Sequence, residues 1–207
     1  MRYHRIPDET IRRLPVYLRG VFALAEEGHQ TVSSQHLSSF LGINPWQIRK
    51  DFSYFGDFGI PGVGYEVGIL HKRIRKILYL DSRHDAVLVG VGNLGSAVLA
   101  YQGFGAYGLK IVAAYDCDRK KIGKTVNGIP ISDMSEIGRL KRRGVDLGII
   151  TVPRDAAQSV AEQLVQAGIR GILSFSSQRL ILPRKIKVID IDIAMDLARL
   201  PYYMSAG

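Results

Sequence analysis

Hydrophobic positions follow two periodicities along this chain, and the change falls near residue 85. In the first part they recur every three or four residues, the spacing of one helix face. Residues 9–28 (ETIRRLPVYLRGVFALAEEG) place Ile11, Leu14, Leu18, Val21, Phe22 and Ala25 on such a stripe, with Gly28 as its stop. Pro15 sits inside the stripe and lacks a helix donor, so a kink or break is expected there. SSQHLSSFLG (33–42) predicts a short second helix, capped by Ser33 or Ser34, with Leu37, Phe40 and Leu41 inward and Gly42 at its end. INPWQIRKDFSYFG begins a third, with Asn44 as N-cap and Pro45 at the first helical position.

Three helices, the last two joined by a tight turn at Gly42–Ile43, match a helix-turn-helix. GDFGIPGVGY follows, with Gly56, Gly59, Gly62 and Gly64 inside nine positions, a density that suits a tight hairpin with positive φ. A helix-turn-helix followed by a β-hairpin is a winged helix. Residues 66–80 (EVGILHKRIRKILYL) resume the helical period through Val67, Leu70, Ile74, Ile77 and Leu78. Lys72, Arg73, Arg75 and Lys76 lie off that stripe, as a solvated face or as phosphate contacts.

From Asp85 short β-rich runs take over: DAVLV, KIVAAYD (110–116), DLGIITV (146–152), RGILSF (170–175) and KVIDI (187–191). Helical patterns such as RDAAQSVAEQLVQAG (154–168) separate them. Strands alternating with helices predict βαβ units around a parallel sheet. The expected fold is therefore α/β, with an N-terminal winged helix-turn-helix domain over 1–80 and a C-terminal Rossmann-like dinucleotide-binding domain over 81–207, divided at DSRHD (81–85).

Composition changes this picture little. The chain has 207 residues, 46% of them hydrophobic, enough for a buried core. The longest apolar runs are too short for a membrane span, and MRYHRIPDETIRR has no apolar stretch typical of a secretory leader. Cys117 is the one cysteine, so no internal disulfide is expected and a reducing, cytoplasmic setting is. Next to Asp116, Cys117 is expected to be a small buried filler. The net charge of +9 points to a polyanionic partner, but residues 1–85 hold 12 Lys/Arg against 9 Asp/Glu and residues 86–207 hold 16 against 10. The excess is not concentrated on the helix-turn-helix, so charge alone assigns no partner.

Two stretches carry candidate chemistry. On a helical wheel, Ile48, Phe52 and Phe55 of the third helix form an inward stripe with Pro45 at its edge. Trp46, Lys50, Ser53 and Tyr54 face outward, flanked by Gln47 and Arg49. Gln47, Arg49 and Lys50 suit base edges, and Ser53 and Tyr54 suit phosphate and sugar, as a recognition helix requires. Asp51 lies at the border and is expected to anchor a basic residue.

The other stretch is GVGNLG, residues 90–95, after an apolar strand and before a helix. Gly90 permits the turn, Gly92 lets a pyrophosphate approach the backbone, and Gly95 lets helix and strand pack closely. Val91, Asn93 and Leu94 complete the phosphate-binding turn, whose helix N-terminus offers unpaired N–H groups. Asp116 ends the next strand 21 residues beyond Gly95, where a carboxylate accepts from a ribose 2′-OH and repels a 2′-phosphate. NAD(H) is favoured over NADP(H), a preference tempered by Arg119, Lys120 and Lys121.

Catalytic machinery is not evident. All five histidines precede the glycine turn, and the 112 residues after Gly95 leave no room for a separate substrate domain. No CxxC or His-rich metal spacing and no GxSxG elbow occurs. Binding without turnover is expected.

RRLPVYLR (12–19), SSQHLSSFLG, QIRKDFSYFGDFG, GVGY, GVGNLG, TVP (151–153), GIRGIL (168–173) and DIDIA (190–194) together resemble the Rex redox-sensing transcriptional repressors of bacteria. The resemblance spans nearly the whole chain. It implies a homodimer whose winged helix binds palindromic operator DNA and whose Rossmann domain senses NADH and NAD+, with NADH releasing the DNA. It adds Ser33, Ser34 and Gly62 to the DNA contacts and Thr151, Val152 and Pro153 to the cofactor contacts. It also nominates Arg19, Tyr101 and Asp192 as a redox switch, in which Asp192 alternates between Arg19 and Tyr101 as the nicotinamide changes state. Discriminating NADH from NAD+ a hundredfold requires about 2.7 kcal/mol of differential binding.

Three positions depart from the family pattern. Pro61 stands in the wing where a basic residue is common, Ser174 stands where Asn is usual, and Pro201 interrupts the C-terminal helix that family members swap across the dimer. The competing readings are an NAD-dependent oxidoreductase with an accessory helical domain, and a CoA- or nucleotide-binding regulatory module whose winged helix contacts protein.

Overall fold

The computed structural model describes residues 6–60, 62–142 and 144–205. The expectation attached to Pro61 lies outside the described residues. The chain divides into two compact units, Met1–Ser82 and Arg83–Gly207. Among the described residues no helix is long and apolar enough to cross a membrane.

The first unit contains α1 (Asp8–Glu26), β1 (Thr31–Val32), α2 (Ser34–Leu41), α3 (Pro45–Ser53), β2 (Tyr65–Glu66) and α4 (Val67–Ile77). α1 runs through Pro15 as one helix, so of the expected kink or break the break does not occur. Its buried stripe is Leu14, Tyr17, Leu18, Val21 and Leu24, while Ile11, Phe22 and Ala25 are exposed. The helix is thus rotated from the expected phase, because Tyr17 turns its hydroxyl to a buried carboxylate and enters the core. Phe40, expected inward, is 45% exposed, and Leu37 fills the core position of α2 alone.

The turn into α3 follows the sequence closely. Gly42 closes α2 in the left-handed conformation at φ 68°. Asn44 Oδ1 then accepts from Trp46 N at 2.9 Å, with Pro45 at the first helical position. The wing differs from a simple hairpin over 56–65. Its two-stranded antiparallel ladder pairs β2 with β1, across more than thirty residues of chain, in the register Thr31↔Glu66 and Val32↔Tyr65. Among the described residues of the loop, one bridge forms, Ile60↔Gly64, with turn bonds from Val63 N and Gly64 N to Ile60 O. Gly64 is required there: at φ 103° a Cβ would lie 2.5 Å from Val32 O.

The second unit is a seven-stranded sheet built from β3 (His84–Val89), β4 (Leu109–Asp116), β5 (Thr125–Val126), β6 (Ile129–Asp133), β7 (Leu147–Ile150), β8 (Gly171–Ser174) and β9 (Lys187–Asp190). The order is β5-β6-β4-β3-β7-β8-β9, parallel throughout except for the β5–β6 edge hairpin. Without β5 this is the doubly wound dinucleotide-binding order. β3 buries both faces: Val87 and Val89 enter one core with Ala157, Ala161 and Leu164 of α6 (Arg154–Gln166), and Ala86 and Leu88 enter the other with Leu99 of α5 (Asn93–Ala100). Both-face burial explains the unbroken apolar run of its sequence. The chain ends in α7 (Ile193–Ala198) and α8 (Leu200–Ser205), a helix interrupted just before Pro201 as its sequence predicts.

Candidate nucleic-acid and dinucleotide sites

In the first unit Ile48, Asp51 and Phe52 of α3 are buried. Asp51 is 0% exposed and collects five donors: Thr10 Oγ1 (2.9 Å), Arg13 Nε (2.6 Å), Arg13 Nη2 (2.9 Å), Tyr17 OH (2.5 Å) and Gln47 Nε2 (2.8 Å). Burial pushes its carboxyl up, but the bonds from Arg13, Tyr17, Thr10 and Gln47 outweigh this and hold it at about 2. Burial and the same carboxylate push Tyr17 well above the usual phenol range. Asp51 does anchor a basic residue, Arg13, and so fixes α3 against α1.

Gln47, expected to meet base edges, has its amide nitrogen committed to Asp51 one turn on, a partner the wheel placed only at its border. Arg49 Nη1 donates to Ser34 Oγ at 2.7 Å, and Ser33 caps α2 by accepting from His36 N at 3.0 Å. Lys50 lies over the exposed Trp46 ring, 4.7 Å from its centroid. Ser53 is exposed and donates to Lys50 O, and Tyr54 is half-buried at the C-cap of α3. A cavity of about 430 Å³ between α3 and the wing brings together Ser33, Ser34, Arg49, Ser53 and Gly62, five of the eight predicted contacts. Gln47, Lys50 and Tyr54 do not line it.

In the second unit the switch of strand order falls between β3 and β7, and a cavity of about 380 Å³ opens at their carboxyl ends. Gly90, Gly92, Asp116, Thr151, Val152 and Pro153, all predicted cofactor contacts, line it; Val91, Asn93, Leu94 and Gly95 do not. The three glycines have separate reasons. A Cβ on Gly90, at φ 99°, would lie 2.7 Å from Val152 Cγ1, and one on Gly95 would lie 2.0 Å from Gly90 O. Gly92 has φ −84°, and a Cβ there meets nothing within 4 Å. Nothing in the protein requires glycine at 92. A Cβ there would project into open space at the mouth of the crevice that Gly92 lines.

Thr151 has a role that its sequence did not disclose. Its hydroxyl sits 2.7 Å from Gly90 O and 3.1 Å from Val89 O, tying the loop after β7 to the glycine turn. Val91 contributes through its backbone: its N–H donates to Asp116 Oδ2 at 2.8 Å. Asp116 also accepts from Asp118 N (2.9 Å) and Lys121 Nζ (3.0 Å). Burial raises its carboxyl, but the bonds from Asp118, Lys121 and Val91 prevail and hold it below the usual range. Only Lys121 of the three nearby cations reaches this carboxylate. Cys117, expected to be buried, is exposed, because the chain leaves the sheet at the end of β4.

Asp192 N-caps α7, accepting from Met195 N at 3.1 Å, and Tyr101 is exposed with its ring against Phe104. No hydrogen bond joins Tyr101 to Asp192. Arg19 belongs to the other unit. Ser174, the residue in the usual Asn position, is buried with its hydroxyl 2.8 Å from Ser176 Oγ.

A winged helix and a doubly wound unit with a dinucleotide-type crevice, in one chain, define a two-part regulator architecture. Comparison with known proteins agrees. Residues 5–53 match a family described as "Putative DNA-binding protein N-terminus", and residues 81–178 match "CoA binding domain". The chain is 43% identical over 201 residues to the redox-sensing transcriptional repressor Rex of Geobacillus sp. (strain WCH70), covering 97% of this chain and 94% of the relative. It is 42% identical to Rex of Syntrophobacter fumaroxidans over the full length of both. The crystal structure of RSP in complex with β-NAD+ and operator DNA superposes with a TM-score of 0.91 at 31% identity, covering 97% of this chain and 93% of that one. RSP in complex with β-NADH gives 0.89 at 30% identity, covering 98% and 95%. The chain belongs to the Rex family of redox-sensing transcriptional repressors.

Proposed function

We propose that this protein is a cytoplasmic, homodimeric repressor that binds palindromic operator DNA through α2, α3 and the wing, and releases it when NADH occupies the crevice of the second unit. The observation that carries the reading is the crevice at the carboxyl ends of β3 and β7, lined by Gly90, Gly92, Asp116 and Thr151, where a Cβ on Gly92 would meet no atom of the protein. Gly90, Gly92 and the first turn of α5 face the pyrophosphate, and Asp116 faces the adenosine ribose. Ser33, Ser34, Arg49, Lys50, Ser53, Tyr54 and Gly62 contact the DNA, and the remaining amide hydrogen and the carbonyl of Gln47 are its means of doing so. Arg19, Tyr101 and Asp192 are the residues to which we assign the redox response, on the resemblance to the Rex family. Relatives are named as repressors, not as enzymes, and ligand binding here serves occupancy, not turnover.

Apolar surface in the second unit supports the homodimer reading. An apolar groove of about 380 Å³ on one face of β7–β8–β9 is lined by Leu147, Ile149, Leu173 and Ile189. Met195, Leu197, Tyr202 and Met204 of α7 and α8 are all exposed. These exposed apolar residues support assigning this part of the second unit to the dimer interface.

One observation favours a second reading, the match of residues 81–178 to a family described by CoA binding. Calorimetric titration with NADH, NAD+ and CoA separates the two. NADH binding at least tenfold tighter than CoA supports the sensor, and the reverse order supports the CoA module.

A further inference from the structure

Arg73 is exposed on α4 of a unit that we assign to DNA, and a phosphate contact is its obvious use. Its surroundings assign it otherwise. Its Nη1 donates to the backbone carbonyl of Asp57, at the root of the wing loop. Its guanidinium lies over the Phe58 ring, Cζ 5.4 Å from the centroid. Phe58 in turn stacks on Phe52 of α3 with centroids 5.0 Å apart and planes 16° from parallel. Phe52 meets Tyr65 of β2 edge-on at 5.3 Å and Tyr17 of α1 at 5.1 Å.

We propose that Arg73 is a positioning residue: it clamps Asp57 and Phe58 onto Phe52, and thereby fixes the wing relative to the recognition helix. The loop needs such a clamp. Among the described residues, its own pairing is limited to the Ile60↔Gly64 bridge, and Gly56, Gly62 and Gly64 all carry positive φ. Chain of this composition is entropically expensive to hold still. Arg suits the task because a planar guanidinium can stack on a ring while donating in its plane, which an ammonium cannot do. Arg75 is likewise used internally, donating to Leu80 O at 2.6 Å, whereas Lys72 and Lys76 are exposed. The basic run on α4 is therefore partly internal scaffolding.

The inference rests on the operator-binding reading, and its test separates the two. The full-length protein and its Arg73→Gln and Arg73→Lys variants are compared by operator affinity over a range of salt, and by amide exchange of residues 57–64. A clamp predicts that both variants lose about tenfold in affinity at every salt concentration, with the slope of log K against log salt unchanged. It also predicts faster exchange across the wing, with NADH affinity as in the parent protein. A slope reduced by about 0.9 with recovery in Arg73→Lys would make Arg73 a phosphate ligand and overturn the proposal. Unchanged exchange in both variants overturns it as well, even if the parent protein binds no operator, an outcome that would itself remove the repressor reading.

Discussion

Arg13 and Asp51 form a two-bond ion pair across the first unit, Nε to Oδ2 at 2.6 Å and Nη2 to Oδ1 at 2.9 Å, joining α1 to the helix assigned to DNA recognition. The carboxylate is fully buried, so its charge is tolerated only because every lone pair has a donor. These bonds hold α3 on a fixed base against α1.

That pair makes stability depend on pH. The Asp51 carboxyl is held at about 2, below its ordinary 3.8, so its contribution is complete above 3.8 and is lost as pH falls through about 2. The shift corresponds to about 2 kcal/mol. Thermal unfolding of the parent protein should show this acid loss. Asp51→Asn should unfold at lower temperature at pH 7 and show a flatter acid limb.

The glycine turn gives a paired prediction. Gly95→Ala drives a methyl into Gly90 O and should lower the melting temperature by more than about 5 °C or prevent folding. Gly92→Ala has open space and should melt within about 2 °C of the parent protein, yet bind NADH at least about tenfold more weakly. Calorimetry and a titration monitored by NADH fluorescence check both.

Much of this was legible in the sequence, for local reasons. Gly42, Asn44 and Pro45 punctuate one turn, and Gly90, Gly92 and Gly95 another, each through backbone requirements that a short stretch expresses in full. The β5–β6 hairpin was equally legible in Asn127-Gly128, both at positive φ between β-branched residues, but reading only long apolar runs passes over it. What sequence does not express is which of two similar faces finds a partner. Phe22 and Phe40 fit helical stripes, yet Tyr17 takes the core because Asp51 waits there for its hydroxyl. The pairing of β1 with β2 and the tie from Thr151 to Gly90 are set by residues brought together only in the fold, whereas the bond from Gln47 to Asp51 is a local one-turn pair that the helical spacing already allowed.

Lys121 should set the choice between dinucleotides. Its ammonium, 3.0 Å from Asp116 Oδ2, offsets the charge that repels a 2′-phosphate. Lys121→Met should weaken NADPH binding relative to NADH by about tenfold, measured by competition. Equal weakening of both would show that Lys121 holds the common part of the ligand.

Asp192→Ala should leave the melting temperature near that of the parent protein, since the lost capping bond of α7 is exposed and worth about 1 kcal/mol. NADH should then no longer release DNA more effectively than NAD+. Full discrimination in this variant would remove Asp192 from the switch.

The central claim is tested most directly by fluorescence anisotropy of a labelled palindromic duplex, selected by the protein from a randomised pool, with NADH or NAD+ added. The account predicts tight binding alone and with NAD+, and at least about a hundredfold loss of affinity with NADH. Failure to select any duplex, or equal affinity with NADH and NAD+, would contradict it.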